Sequence, residues 1–233
     1  TGKRRCGEMR ETIDGILNVH KEKGFTSHDV VAKLRGILKQ KKIGHTGTLD
    51  PDATGVLPVC LGRATKVCEY LTDRSKTYTA RVRLGVVTDT QDLTGQVLEE
   101  HPVHVTREEL ERAVTAFTGE IWQTPPMYSA VKVNGKRLYE LARKGLEVER
   151  KKRRIMVYSC DVSDFKAEDR TFTMEVRCSK GTYIRTLCHD IGERLGCGAA
   201  MASLVRTQSG IFSLEGALTL SQIEQKVQNG TLD

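Results

Sequence analysis

His45 and Asp50 stand five residues apart in the stretch Gly44-His-Thr-Gly-Thr-Leu-Asp-Pro-Asp-Ala-Thr-Gly55, one imidazole and one leading carboxylate. Pro51 biases Asp50 away from helix and toward extended backbone. Gly44, Gly47 and Gly55 punctuate the stretch, allowing positive φ and close approach of another molecule. The apolar run Val56 to Leu61 follows and reads as a buried strand. A strand therefore anchors a loop that presents an acid and an imidazole, an arrangement suited to catalysis by an ionised carboxylate. Two other chemistries are excluded. Asp50-Pro-Asp-Ala-Thr-Gly55 opens like a calcium loop, but the twelfth position, which needs a bidentate Glu, is Leu61. Gly55-Val56-Leu57 lacks the Gly-Lys-Ser/Thr that ends a phosphate-cradling loop.

The elements that must hold this loop follow from pattern. Residues 14–19 read as a strand. Thr26 or Ser27 can cap a helix carrying Val30, Val31, Leu34, Ile37 and Leu38, with Lys39, Lys41 and Lys42 at its C-terminus. A short helix is expected near 64–71. Lys76 to Val87 alternates, with Tyr78, Ala80, Val82 and Leu84 on one face, as in a half-buried strand. Thr88 to Gly95 reads as a turn. Thr106 and Glu109 form a capping box for a helix to about Phe117. A strand at 128–134, a turn at 135–137 and a helix from Leu138 to Lys144 ended by Gly145 come next. Strands at 148–165 and 171–178, a helix at 182–195, a short strand near 201–206 and a capping box at Ser221 and Glu224 complete the reading. Long alternating strands dominate the middle, which favours α+β with a mixed, mostly antiparallel central sheet flanked by helices.

The bulk numbers bound the partners. The 233 residues suffice for one large domain or two small ones; no repeat or low-complexity linker divides them, which favours one main domain. Lys plus Arg is 37 against 30 for Asp plus Glu, a net charge of +7 that suits a polyanion. One Trp and 5% aromatics argue against a broad single-strand stacking platform. No apolar run approaches the ~18 residues of a membrane helix, and the basic N-terminus lacks a signal-peptide core. The seven cysteines contain no Cys-x-x-Cys pair; Cys188-His189 and Cys197 have the wrong spacing for zinc, so reduced thiols and no metal are expected. The run Arg150 to Arg154 is the strongest basic cluster, either a solvated strand end or an RNA contact.

Several separated motifs resemble the TruB family of tRNA pseudouridine synthases over roughly residues 13–220. Gly44 to Gly55 is similar to its catalytic loop. Lys76-Thr-Tyr-Thr-Ala-Arg-Val-Arg-Leu-Gly85, Thr88 to Gly95, Pro125 to Gly135, Cys178-Ser-Lys-Gly-Thr-Tyr-Ile-Arg185 and Leu204-Val-Arg-Thr-Gln-Ser-Gly210 resemble further family motifs, in family order. There are two departures. Glu22 in Lys21-Glu-Lys-Gly-Phe-Thr-Ser27 stands where the family usually has proline. The chain stops at Asp233, where members usually continue into a small RNA-binding domain, often of PUA type. The resemblance therefore implies an N-terminal extension over 1–12, expected to be flexible, and a pseudouridine synthase catalytic domain over 13–233 without that C-terminal domain.

The resemblance also implies roles. Asp50 is the nucleophilic or stabilising carboxylate, Arg185 its cationic partner, and Tyr78 the residue stacked on a flipped base. His45 is associated with the rearranged substrate loop, and Tyr183 and Leu204 line the pocket. The implied reaction breaks a uridine's N1–C1′ bond, turns the base and rejoins it through C5, without cofactor. The implied substrate is the uridine of the tRNA T-arm loop at position 55 (tRNA numbering), acted on by a monomer in the cytoplasm. The alternatives are a non-catalytic RNA-binding or RNA-remodelling protein and a pseudouridine synthase acting on another RNA. The intact set of Asp50, Tyr78 and Arg185 argues against the first.

Overall fold

The computed structural model describes residues 12–232. The expected N-terminal extension lies outside the described residues, save its last residue. Strand β1 (Gly15–Lys21) leads into helix α1 (Ser27–Leu38). Thr26 caps α1: the Asp29 N–H donates to Thr26 Oγ1 at 2.9 Å, and the Thr26 N–H donates to Asp29 Oδ2 at 2.8 Å. Val30, Val31, Leu34 and Leu38 fall on one face at helical spacing and are buried. Strand β2 (Ile43–His45) and strand β3 (Thr54–Leu61) bracket the acid loop. After a 3-10 turn (Gly62–Val67) come α2 (Cys68–Thr72), β4 (Lys76–Leu84), β5 (Val86–Thr88), β6 (Val97–Glu100) and α3 (Arg107–Thr115). Then follow β7 (Gly119–Gln123), β8 (Lys132–Val133), β9 (Lys136–Arg137), α4 (Leu138–Ala142), β10 (Arg153–Lys166) and β11 (Thr171–Cys178). The last elements are α5 (Ile184–Leu195), β12 (Ala199–Ser209), β13 (Phe212–Ser213) and α6 (Leu220–Gln228).

Among the described residues, nine strands form one sheet in the order β1-β3-β12-β4-β11-β10-β7, with β2 beside β3 and β13 beside β12. All its pairings are antiparallel except β12 with β3. The expected α+β class and mixed, mostly antiparallel sheet are as found. Leu17, Val19, Leu57, Val59 and Leu61 pack with α1 and α6 in one core. Tyr78, Ala80, Val82 and Leu84 pack with Leu110 and Val114 of α3 and Leu187 and Ile191 of α5 in another.

Several boundaries differ from the pattern reading. The strand expected over Lys76 to Val87 breaks at Gly85, whose φ is +83 and whose missing Cβ leaves room for the His101 carbonyl; β5 then pairs with β6 in a separate ribbon. The strand expected over 128–134 is reduced to β8, a two-residue arm whose turn lies at Asn134-Gly135, both at positive φ. The strand expected near 201–206 is not short: β12 runs over 11 residues in mid-sheet. The last helix is capped by Thr219 with Gln222, not by Ser221 with Glu224. Residues 148–152 precede β10 rather than belonging to it. β2 and β7 carried no recognisable pattern: one is three residues long, the other an edge strand with Trp122 exposed.

Candidate active site

The acid loop, residues 46–53, is tied down from several sides. Its ends are set by β2 and β12, which lie beside opposite halves of β3. Gly55 stands opposite Arg206 in the parallel pairing, with φ at +110, and any Cβ there would collide with the Arg206 carbonyl. Ser27 Oγ accepts from the Leu49 N–H at 3.0 Å. The Pro51 carbonyl accepts from the Gly24 N–H at 2.8 Å and from Lys21 Nζ at 3.2 Å. The Ala53 N–H closes a turn on the Asp50 carbonyl at 3.1 Å. The segment from Lys21 to Ser27 therefore works as a brace for Asp50. Glu22 takes part only through its backbone carbonyl, which accepts from Lys21 Nζ at 3.2 Å, so the side chain at 22 is free to vary.

Asp50 keeps a carboxylate that is about half exposed, with Arg185 Nε 3.1 Å from its Oδ2. Arg185 is itself buried, with a side chain only 6% exposed. Its Nη1 donates to the Thr90 carbonyl at 3.1 Å and its Nη2 to the Tyr128 carbonyl at 2.8 Å. Two segments without regular strand or helix, Asp89–Gly95 and Pro125–Ala130, thus aim the guanidinium at the acid. Asp52, two residues on, is exposed and lies 3.9 Å from an exposed Lys23.

Tyr78 on β4 and Leu204 on β12 are diagonal neighbours in the sheet, Leu204 standing opposite Ala80, and belong to one packed cluster with Leu49 and Ala53 of the acid loop. Burial pushes the Tyr78 phenol up from its usual range, while the Arg206 guanidinium opposes that push. Tyr183 precedes α5 and is clasped by the side-chain amide of Gln123. The Gln123 Nε2 donates to the Tyr183 carbonyl and the Tyr183 N–H donates to Gln123 Oε1, both at 2.9 Å. His45 sits at the loop's entrance, its Nδ1 accepting from the Gly47 N–H at 3.4 Å and its ring 5.5 Å from that of His28. Burial foremost, then His28, lowers its pKa.

The structure thus brings Asp50 and Arg185 into contact and sets Tyr78 and Leu204 against the base of their loop. His45 has no direct contact with the Asp50 carboxylate. Three residues of the site were not singled out as functional from sequence. Lys21 is fully buried and its Nζ also donates to the Phe25 carbonyl at 2.6 Å; burial brings its pKa down to about 8. Gln123 is 2% exposed, and Arg206 is 1% exposed. Arg206 had a readable signal, since it follows Leu204 by two on a strand and so shares its inward face. Gln123 had none. The six described cysteines are free, and no His/Cys/Asp/Glu cluster with metal-holding geometry occurs among the described residues.

A family model described as TruB family pseudouridylate synthase (N terminal domain) matches residues 35–184. A second, described as tRNA pseudouridylate synthase B C-terminal domain, matches residues 185–232. The boundary between the two falls within α5, and β12 beyond it lies in mid-sheet. The chain is 53% identical over 227 residues to tRNA pseudouridine synthase B of Bacillus thuringiensis (strain Al Hakam), covering 95% of this chain and 74% of the relative. It is 52% identical over 227 residues to the protein of the same name from Geobacillus kaustophilus (strain HTA426), covering 95% and 80%. Among solved structures it is similar to a chain of a Cbf5-Nop10-Gar1 complex, with TM-score 0.74, 34% identity and 94% of this chain covered. It is also similar to a chain of the archaeal box H/ACA sRNP Nop10-Cbf5 complex, with TM-score 0.69 and 32% identity over 92% of this chain. The match spans 57% and 54% of those two solved chains, little more than half of each.

Proposed function

The chain belongs to the TruB family of pseudouridine synthases, which isomerise uridine to pseudouridine in tRNA, and from that premise we propose that Asp50 carries the reaction on the uridine of the T-arm loop, position 55 in tRNA numbering. The observation that carries this reading is the Asp50 carboxylate, half open to solvent and held by the buried guanidinium of Arg185 at 3.1 Å. That pairing fixes the orientation of the carboxylate, as a nucleophile or a stabiliser of positive charge at C1′ requires. The N1–C1′ bond breaks, the base turns, C5 bonds to C1′, and the C5 proton leaves as N1 gains one. No electrons are exchanged with an outside group.

A base in folded RNA must leave its stack before it reaches Asp50, at a cost of about a few kcal/mol. The ring of Tyr78 and the side chain of Leu204 offer an apolar bed for it, and Tyr183 a second wall. His45, at the loop's entrance, is suited to meet the distorted RNA rather than the reacting bond. We further propose that the chain acts as a monomer in the cytoplasm; among the described residues no helix is long and apolar enough to cross a membrane. Higher identity to the tRNA enzymes than to the H/ACA chains supports tRNA as substrate. The test is mass-spectrometric mapping of pseudouridine in unmodified tRNA incubated with the protein. Modification confined to the T-arm loop is expected, and tRNA bound but left unmodified would favour the non-catalytic alternative.

A further inference from the structure

Arg206 is the largest of the fully buried side chains and carries a charge that cannot be neutralised in a protein. Among the described residues it forms no ion pair with a carboxylate. Its hydrogen bonds go to the frame of the site: Nε donates to the Val56 carbonyl at 2.7 Å and Nη2 to the Gly47 carbonyl at 3.3 Å, one on each side of Asp50 in the chain. Across the antiparallel ladder Arg206 stands opposite Tyr78, and its charge acts on that phenol. A buried cation without a counter-charge is destabilising unless its hydrogen bonds offset the lost solvation. An apolar side chain would fill the volume without that cost, so the charge itself calls for a role.

We propose that Arg206 is a positioning residue that clasps the two flanks of the Asp50 loop and holds the Tyr78 oxygen as an acceptor, leaving the phenol's own proton directed toward the bound base. A guanidinium has five N–H donors and no acceptor, so a hydrogen bond between the two has the phenol oxygen as its acceptor. The hydroxyl's own proton is then left free for the site, where a carbonyl of the flipped base can accept it. Acid loop and stacking ring are registered to one another by a single side chain. This rests on the site reading proposed above. The charged and titratable groups facing Tyr78 are Arg206 from β12, Cys178 from β11 and Asp50 from the loop. Arg206 in turn faces Lys21 of β1, His45 of β2 and Lys76 of β4.

The test combines a double-mutant cycle with a titration that needs no turnover. Single-turnover rates at saturating tRNA are compared for Arg206→Lys, Tyr78→Phe and the double variant. If Arg206 acts through Tyr78, the double variant is within about twofold of the slower single one. If the two losses multiply, Arg206 is only a brace for the fold and the proposal fails. In parallel, the Tyr78 ring, labelled with ¹³C and assigned by its absence in Tyr78→Phe, is titrated in wild type and Arg206→Met. Arg206→Gln stands in if the methionine variant does not fold. The Tyr78 midpoint moves upward when the guanidinium is removed; an unchanged midpoint overturns the proposal. Absence of pseudouridine with the wild-type protein would refute the function while leaving the titration result intact.

Discussion

Arg185 shows how one side chain can be specified by three separate segments. Its Nε reaches Asp50 while its two Nη groups are spent on the Thr90 and Tyr128 carbonyls. A lysine keeps the charge but has no planar fork to satisfy acid and both carbonyls at once. Arg185→Lys should therefore fall by about 10²-fold or more in single-turnover rate, in line with the loss of one well-placed charged donor. It should bind tRNA within a few-fold of wild type, as measured by filter binding; unchanged turnover would mean that the guanidinium does not orient Asp50. At this scale the sequence pointed to Asp50, Tyr78 and Arg185, which the fold gathers at the acid loop. It was silent where a residue acts by hydrogen-bonding backbone. Gln123 looks like any polar residue ending a strand, and only the fold brings it to the Tyr183 backbone.

The elements are tuned to let a loop sit deep in a sheet. β12 runs parallel to β3 for only two residue pairs, Val205 with Thr54 and Arg206 with Gly55. That contact needs a glycine, since Gly55 is at φ +110 and its missing Cβ leaves room for the Arg206 carbonyl. Gly55→Ala should lower stability by about 3 kcal/mol, from left-handed strain and overpacking together; urea denaturation measures it. Gly24→Ala, at φ +90 with open space around it, should cost less because only strain applies. Helix α1, β4 and β11 were legible because their apolar spacing matches one period over many residues. The Ser221 box failed because two rival caps lie two residues apart, and local sequence does not choose between them. β12 was underestimated because its bulges, between Met201 and Ser203 and between Arg206 and Gln208, break the alternation that marks a strand.

For the molecule as a whole, the site draws on β1, the acid loop, β4, α5 and β12, so catalysis and global folding should be lost together. Alkaline pH should weaken the fold through its buried thiols. Burial pushes Cys160 up to about 12, against 9.0 for the free thiol, and Cys178 up to about 11. The unfolded chain ionises first, so each thiol's contribution is complete below about pH 9 and is lost as pH rises through the folded value. Between pH 9.5 and 10.5 the stability advantage of wild type over Cys160→Ala should shrink by about 1 kcal/mol, a little less than one full pH unit of linkage allows. Urea titrations at both pH values measure it, and a constant difference would contradict the assigned burial. Binding to tRNA should weaken steeply with salt, since a net charge of +7 offers mainly Lys and Arg to phosphate. Among the candidate contacts, Lys151 and Lys152 are exposed, whereas Arg150 is engaged by Glu147 and the Pro125 carbonyl. The central claim, that Asp50 performs the isomerisation, is met most directly by Asp50→Asn, with Asp52→Asn as its neighbouring control. Pseudouridine in the T-arm loop is quantified by mass spectrometry after long incubation with excess protein. The account predicts none above background for Asp50→Asn, tRNA affinity within a few-fold of wild type, and near-normal conversion by Asp52→Asn; appreciable conversion by Asp50→Asn would contradict it.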